Sequence, residues 1–264
     1  MRYKGEVVFS CHDEEGVIDV VDENENVRSL QFGTVARQST MFRNAPNALA
    51  LSYTHCVMTS LAFSRTPPRS ALALGLGGGS LVKFLLAECA DCQVDAVERR
   101  AAVIATAQQY FDLPPTHPRL DIHCGDAGQF LSTRVADSPG CYDLILVDLH
   151  DSSGMAPVVR TPEFFETCRN LLSEHGVLAV NLWYGYREKE EREARDSLEA
   201  AFTPRVLYLP VAGKLNCIGF AFAQPPADSD AVIGYRALEW KRRTRIDFPA
   251  RLVELARFNN GLTV

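Results

Sequence analysis

Two carboxylates follow an apolar run in the stretch YDLILVDLHD, residues 142–151. The run Leu144 to Val147 stops at Asp148, and Asp151 follows three residues later. At neutral pH an amine is protonated, and it must lose a proton before it can attack carbon. A partly buried carboxylate both attracts such a cation and accepts its proton. The sequence therefore places Asp148 at the end of a predicted buried strand, where it and Asp151 could bind a cation.

A glycine-rich segment, GLGGGSL at 75–81, follows an earlier apolar run. Its glycines, Gly75, Gly77, Gly78 and Gly79, let the backbone turn tightly and approach a ligand closely. Loops of this kind hold dinucleotides and adenosyl compounds, and they also form simple tight turns. The segment indicates a nucleoside site only in combination with other residues.

Acids stand at two further predicted strand ends. Glu98 can accept hydrogen bonds from both hydroxyls of a ribose, or it can cap the helix that begins at Arg99. Asp126 can accept a hydrogen bond from an adenine amino group while the backbone of Ala127 binds the ring; capping of the following helix is the simpler interpretation. Because ligands of open α/β sheets bind outside the carboxyl ends of the strands, we expect these acids near the glycine segment.

The elements that must position these residues alternate between strands and helices from about residue 71 to about residue 222. Continuous apolar strands are predicted at 71–75, 93–98, 119–124, 142–148 and 176–182, with helices between them. The runs RVLYLP and CIGFAFA (205–210 and 217–223) are joined by only six residues, too few for a parallel crossover. The sequence therefore predicts an α/β fold with a Rossmann-like, mostly parallel sheet whose last strand is antiparallel.

The first 66 residues predict a separate small β-domain. The β-rich runs VVFSC, GVIDVV and VRSLQFG are separated by the turn-forming stretches HDEEG and DENEN, a pattern typical of an antiparallel meander. The segment ALALSYTHCVMTSLAF then predicts a buried helix, which RTPPRS ends. We therefore expect one domain at 1–66 and a second at 67–264, with a helical C-terminal tail.

Composition excludes some classes of function. The net charge of −6 gives little support for binding a phosphate backbone, so nucleic acid is not an expected partner. The chain has no apolar run of roughly 18 residues and no uninterrupted signal-peptide core, and a cytoplasmic location with no membrane contact is expected. The eight cysteines are scattered and indicate reduced thiols. The single C-x-x-C, Cys89 and Cys92, is interpreted as packing, and no metal is expected.

Four motifs in this order resemble a known family. LALGLGGGSL, VDAVERR, IHCGDAGQFL and YDLILVDLHD are similar to the corresponding segments of the spermidine synthase family of polyamine aminopropyltransferases, within the adenosylmethionine-dependent methyltransferase fold group. The N-terminal meander, the step Gln38-Ser39-Thr40 and the helix that bears Tyr53 resemble that family's small β-domain and gate. The resemblance covers residues 17–223. It implies a methyltransferase-type sheet and a sulfonium nucleoside as group donor.

The resemblance also implies an activity and a set of site residues. The activity is transfer of an aminopropyl group from decarboxylated adenosylmethionine to a di- or polyamine, with release of methylthioadenosine. Asp148 then receives the amine proton with Tyr53 beside it, and Asp151 anchors the amine. Donor binding is assigned to Gln38, Gly75, Gly77, Gly79, Glu98, Asp126 and Ala127. Asn181 and Tyr184 are expected on the acceptor side, and a homodimer is expected.

Three positions depart from the family pattern. Gly78 stands where an aspartate usually holds the donor's amine, Tyr53-Thr54-His55 lacks the carboxylate of the family's Tyr-His-Glu, and Asn181 replaces a frequent glutamine. Methyl transfer from intact adenosylmethionine, and nucleoside binding without catalysis, therefore stay open as alternatives. His150 is a further candidate base, although a hydrogen-bonding loop histidine is the simpler interpretation.

Overall fold

The computed structural model describes residues 3–151, 154–184, 188–202 and 206–259, and the side chain of Asp151 lies outside the described part. Near the N-terminus, four antiparallel strands form a sheet in chain order. They are β1 (Glu6–Asp13), β2 (Gly16–Asp22), β3 (Val27–Gln31) and β4 (Arg37–Phe42). Strand β4 is an addition to the three predicted runs. Its sequence, RQSTMF, is poor in strand-forming residues, and its pairing with β3 makes it a strand.

The predicted buried helix is shorter than its apolar segment. Helix α1 runs from Ser52 to Met58 and continues as a 3-10 turn at Thr59–Ala62, whereas 48–51 is not helical. Leu51 stands before the helix in extended conformation. Cys56, Val57 and Met58 are buried against the main sheet, so α1 joins the core while Tyr53, near its first turn, stays half-buried.

Seven strands form the main sheet. They are β5 (Ser70–Leu74), β6 (Gln93–Glu98), β7 (Leu120–Cys124), β8 (Tyr142–Val147), β11 (Leu172–Trp183), β12 (Val206–Pro210) and β13 (Asn216–Phe222); the short hairpin β9 (His150–Asp151) and β10 (Gly154–Met155) follows β8. Their spatial order is β12-β13-β11-β8-β5-β6-β7. Neighbouring strands are parallel all the way from β11 through β8, β5 and β6 to β7. Strand β13 is antiparallel to both of its neighbours, β11 and β12. The predicted fold class is confirmed.

Helices cover both faces of this sheet. They are α2 (Ser80–Glu88), α3 (Ala101–Tyr110), α4 (Ala127–Asp137), α5 (Pro162–Leu171), α6 (Glu188–Ala201), α7 (Asp230–Thr244) and α8 (Phe248–Phe258). Alternate residues of β5 belong to different apolar clusters: Ala71 and Ala73 to one, Leu72 and Leu74 to the other. Full burial of each such leucine stabilises the fold by about 1.5–3 kcal/mol. Among the described residues, no helix has the length and apolar character needed to cross a membrane.

The register of the central strands brings the predicted site residues to one edge. Leu74 of β5 pairs with Val97 of β6 and with Val147 of β8. The next residue of each strand is therefore at the same level, and these residues are Gly75, Glu98 and Asp148. The division of the chain at residue 66 stays a prediction.

Candidate active site

The glycine segment connects β5 to α2 and lies against the end of β8. Gly75, Gly77 and Gly79 have φ angles of 91°, 52° and 72°, in the left-handed region that favours glycine. A Cβ at Gly75 would overlap the carbonyl oxygen of Asp148. Only glycine therefore lets this loop approach the end of β8 so closely.

Gly78 differs from its neighbours because the space beside it is filled. A Cβ there would lie 2.7 Å from Ser39 Oγ and 3.0 Å from the ring of Phe111. The Ser39 hydroxyl is also 3.1 Å from that of Ser80, at the start of α2. Strand β4 thus occupies the volume in which the family's usual aspartate would begin.

Glu98 has backbone partners on two elements. Its carboxylate accepts hydrogen bonds from Leu76 N (3.2 Å) and from Arg100 N (3.0 Å). The first bond ties it to the glycine segment, and the second satisfies a donor at the start of α3. Glu98 therefore accepts a backbone hydrogen bond at the start of α3, and it also lines a cavity at the sheet edge.

Asp126 caps α4, as the simpler sequence interpretation predicts. Its Oδ1 accepts a hydrogen bond from Gln129 N at 2.9 Å. The side chain is exposed at the cavity rim, and the buried Ala127 beside it lines the same cavity. Capping leaves the other carboxylate oxygen open to a ligand, because a carboxylate accepts several hydrogen bonds.

These groups surround a first cavity, which we call the donor cavity. It opens to solvent at the carboxyl ends of the central strands, where ligands of open α/β sheets bind. Its lining comes from the glycine segment, the ends of β6, β7 and β8, and β4 with the preceding turn, and includes Phe32, Gln38, Ser39, Gly75, Gly77, Glu98, Arg100, Asp126, Ala127 and Asp148. Arg100 is buried, pairs with Asp13 at 2.8 Å and lies 4.6 Å from the Phe32 ring. The N-terminal sheet thereby forms one wall.

A second cavity, the acceptor cavity, opens on the other side of Asp148. It is lined by parts of α1, β4, β11 and the turn between β12 and β13, including Tyr3, Lys4, Glu23, Arg37, Gln38, Tyr53, Asp148, His150, Asn181, Trp183, Lys214, Leu215 and Asn216. Gln38, Tyr53, Asp148 and His150 line both cavities. The two spaces therefore meet at Asp148, whose side chain is 19% exposed.

Asp148 is held by three side-chain donors. Tyr53 donates its hydroxyl hydrogen to Oδ2 at 2.9 Å, and Asn181 Nδ2 donates to Oδ1 at 2.8 Å. His150 Nδ1 lies 3.3 Å from the same Oδ1. Asn216 in turn donates to Asn181 Oδ1 at 3.0 Å. No motif in the sequence pointed to Asn216, which reaches the site through the pairing of β13 with β11.

The electrostatics of this cluster follow from burial and hydrogen bonding. Burial raises the pKa of Asp148, but the hydrogen bonds from His150, Asn181 and Tyr53 outweigh it and bring the pKa below its ordinary value. Burial and the neighbouring Asp148 carboxylate raise the pKa of Tyr53 well above its usual range. At neutral pH the site therefore holds an ionised carboxylate beside a protonated tyrosine.

Some predicted residues lie elsewhere. Tyr184 is 39% exposed, and it packs against Phe258 without lining either cavity; its neighbour Trp183 lines the acceptor cavity. His55 bonds locally to the carbonyl oxygen of Leu49 at 3.0 Å, so it does not supply a polar group to the site. The side chain of Asp151 lies outside the described residues, and its role stays a prediction.

The cysteines and histidines do not gather into a further centre in the described ranges. Within those ranges no group of three His, Cys, Asp or Glu side chains is placed to hold a metal ion. Cys89 and Cys92 are buried thiols, and burial raises their pKa values to about 11 and about 12. Thiols with such high pKa values are unreactive at neutral pH.

The sheet order, the glycine segment and the strand-end acids define the adenosylmethionine-dependent methyltransferase fold group. Residues 50–224 match the model of the spermine/spermidine synthase domain. A polyamine aminopropyltransferase of Neisseria meningitidis is 31% identical over 210 residues, which cover 80% of this chain and 78% of the relative. The chain belongs to the spermine/spermidine synthase family.

Two solved structures show the same fold. A probable spermidine synthase from Corynebacterium glutamicum has a TM-score of 0.72 and 18% identity, with 88% of each chain covered. Human methyltransferase-like protein 13 in complex with SAH has a TM-score of 0.67 and 23% identity, with 74% of this chain and 93% of that chain covered. The fold is thus shared with proteins named for two kinds of transfer.

Proposed function

We propose that the protein is an aminopropyltransferase that moves the aminopropyl group of decarboxylated adenosylmethionine to a di- or polyamine. The observation that carries this proposal is the position of Asp148. Its ionised carboxylate lies where the donor and acceptor cavities meet, with Tyr53 and Asn181 fixing its orientation. An anion at that point attracts an ammonium group and brings it beside the carbon of a bound sulfonium donor.

The donor cavity offers partners for each part of the nucleoside. Glu98 is proposed to accept hydrogen bonds from the ribose hydroxyls, and the segment at Asp126 and Ala127 to bind the adenine. Gly75, Gly77 and Gly79 have positive φ angles, and without side chains they let the backbone of the loop approach the donor closely. Gln38, which lines both cavities, is proposed to cover the reacting groups.

The chain contributes to the reaction by positioning and by proton removal. Asp148 accepts the proton of the incoming ammonium, either directly or through a side chain that is hydrogen-bonded to its carboxylate. The freed amine lone pair then attacks the methylene carbon next to sulfur, and the carbon–sulfur bond electrons return to sulfur as methylthioadenosine leaves. Tyr53 stays protonated and keeps the carboxylate aimed at the amine. General base catalysis of this kind contributes about 10²–10⁴-fold to a rate.

Methyl transfer from intact adenosylmethionine is the second candidate, and the surroundings of Gly78 favour it. Ser39 and Phe111 fill the space where an aspartate side chain would start, so no carboxylate from that position holds the donor's amine. A donor that bears its own carboxylate would meet no repulsion there. This second reaction would form adenosylhomocysteine instead of methylthioadenosine.

One experiment separates these functions. The purified protein is incubated with either donor and a panel of diamines and polyamines, and the nucleoside product is identified by chromatography. Methylthioadenosine formed only with the decarboxylated donor supports the main proposal. Formation of adenosylhomocysteine from intact adenosylmethionine would instead support methyl transfer. Saturable binding of both donors without any product would indicate a binding protein.

We further propose a homodimer in the cytoplasm. Apolar side chains are exposed on β1 and α7, with Val7 46%, Val232 45% and Tyr235 61% exposed. Val232 and Tyr235 are three residues apart on α7 and so share one side of that helix, and contiguous exposed apolar patches often mark contact surfaces. Sedimentation equilibrium tests the dimer, and a monomer at micromolar concentration would contradict it.

A further inference from the structure

His150 is the side chain in contact with Asp148 that has a second nitrogen able to accept a proton. The residue lies two positions after Asp148 in the β9 strand and lines both cavities. Its side chain is only 10% exposed, and its ring stacks on Trp183 with centroids 5.8 Å apart. Burial and stacking hold the imidazole in one orientation at the point where the amine and the donor must meet.

The two ring nitrogens of His150 have different surroundings. Because a carboxylate can only accept, the contact of Nδ1 with Asp148 Oδ1 at 3.3 Å requires the proton to be on Nδ1. Nε2 is buried and has no hydrogen-bond partner among the described residues. In the neutral ring Nε2 therefore has a lone pair that no described donor satisfies, and an unpaired buried acceptor of this kind is unfavourable.

Asp148 is itself a poor final holder of the amine's proton. It already accepts hydrogen bonds from Tyr53 and Asn181 in addition to its contact with His150, and each of these favours its ionised form. His150 Nε2, by contrast, has no hydrogen-bond partner among the described residues. The imidazole can therefore take a proton on Nε2 while its Nδ1 keeps the contact with Asp148.

We propose that Nε2 of His150 accepts the proton of the acceptor amine and that Asp148 orients the ring and balances its charge. This inference rests on the proposed aminopropyl transfer. In the step, the ammonium N–H bond breaks and its proton forms a bond to Nε2, which gives an imidazolium paired with Asp148. The amine lone pair attacks carbon, the carbon–sulfur bond breaks towards sulfur, and the imidazolium later returns its proton to water.

Other charged groups face the same region, and a pH profile must be read with them in mind. Asp148 contacts the ring directly, and Tyr53 reaches it from α1 through Asp148. The acceptor cavity also carries Lys4, Glu23, Arg37 and Lys214. Of these, Arg37 and Glu23 form an ion pair. A site-specific signal from His150 is therefore needed beside the rate measurements.

The test uses His150→Asn, which keeps a donor in the place of Nδ1 but has no atom that can take the proton. We expect kcat to fall by about 10²–10³-fold, the acidic limb of the pH profile of kcat/KM to disappear, and methylthioadenosine affinity to stay within about threefold. Added imidazole should restore part of the rate in His150→Gly. A His150→Asn variant that keeps kcat within threefold, with the acidic limb intact, would overturn the inference.

A second measurement tests the role of His150 even if the variant does not fold or the wild-type protein shows no turnover. The ¹⁵N resonances of His150 are followed against pH in the wild-type protein bound to methylthioadenosine, with and without 1,4-diaminobutane. We expect the diamine to shift the Nε2 resonance and its titration. Absence of turnover with either donor would refute the proposed function, whereas an Nε2 signal that ignores the diamine would refute the role of His150.

Discussion

The donor cavity and the acceptor cavity are built from different kinds of contact. The donor cavity is formed mainly by residues that directly follow strands of the main sheet, and Gly75, Glu98 and Asp148 lie at one level because their strands are in register. The acceptor cavity is assembled from α1, the N-terminal sheet and the β12–β13 turn, which are distant in sequence. The first depends on local motifs, and the second depends on how separate elements pack.

Their charges differ as well. The donor cavity presents the acids Glu98 and Asp126, and its two arginines are paired with acids outside it, Arg99 with Glu15 and Arg100 with Asp13. The acceptor cavity includes the cations Lys4, Arg37 and Lys214, with Glu23 already paired to Arg37. Apart from Asp148, the described residues of the acceptor cavity thus offer little negative charge for a polyamine. Under the proposed function, the donor cavity therefore offers more of the expected ligand contacts than the acceptor cavity does.

Asp148→Asn is expected to have the largest effect, because Asp148 belongs to both cavities. The amide keeps the shape but loses the charge, so kcat should fall by about 10³-fold or more while methylthioadenosine affinity changes less than about threefold. Steady-state kinetics and calorimetry measure the two quantities. Asp121→Asn, an exposed acid on β7, is the matched control and should leave both unchanged. A loss of nucleoside binding equal to the loss of rate would contradict the division into two cavities.

Glu98→Gln should affect the donor side alone. Replacing a charged acceptor by a neutral one weakens its hydrogen bonds, and we expect methylthioadenosine to bind about 10–100-fold more weakly. The KM of the amine at saturating donor should stay within about twofold. Calorimetry and amine titration test this, with the exposed Glu163→Gln in α5 as control. Unchanged nucleoside affinity would remove Glu98 from the proposed ribose site.

The pair Ser39→Gly with Gly78→Asp should sharpen the donor's identity. Removing the Ser39 side chain clears most of the space that a Cβ at residue 78 needs. The new carboxylate should then favour the decarboxylated donor over adenosylmethionine by about tenfold, relative to Ser39→Gly alone, because it attracts the amine and repels a carboxylate. The ratio of the two dissociation constants measures this preference. An unchanged ratio would mean that position 78 does not face the donor's side chain.

Lys214→Glu should have the smallest effect, and it should change only the binding of the amine in the acceptor cavity. Lys214 is exposed, so reversing its charge should lower the KM of a diamine by only about threefold at low salt, and the effect should vanish at high salt. Donor affinity should not change. Lys189→Glu, on α6 at 88% side-chain exposure, serves as the control. Equal effects of the two variants would show that only net charge matters.

Much of the fold and half of the site could be predicted from the sequence. The strands just before Gly75 and Asp148 contain continuous apolar runs, ALAL and LILV, and such runs are typical of a buried parallel sheet. Strand β4 and the late start of α1 could not be predicted in this way. The sequence RQSTMF has a weak strand pattern, and Ala48 to Leu51 is apolar without being helical.

The residues around Asp148 illustrate the same limit. Asn181 was expected on the acceptor side; it lines the acceptor cavity, and its amide also donates to Asp148 and accepts from Asn216. Tyr184 was expected on the same side, but it follows the last residue of β11 and packs on Phe258. His150 was a candidate base whose contact with Asp148 no spacing rule could establish.

The sequence by itself determined the strand-end residues, because glycine conformations and apolar periodicity are local properties of the chain. The sequence therefore determined the main sheet, the glycine segment and the position of Asp148 at a strand end. The resemblance implied Tyr53 beside that carboxylate, but only the tertiary structure gave the contacts themselves: Tyr53 donates from a helix 95 residues earlier and Asn181 from β11, 33 residues later. The physical reason is that hydrogen bonds between distant segments depend on packing, which no short stretch of sequence encodes.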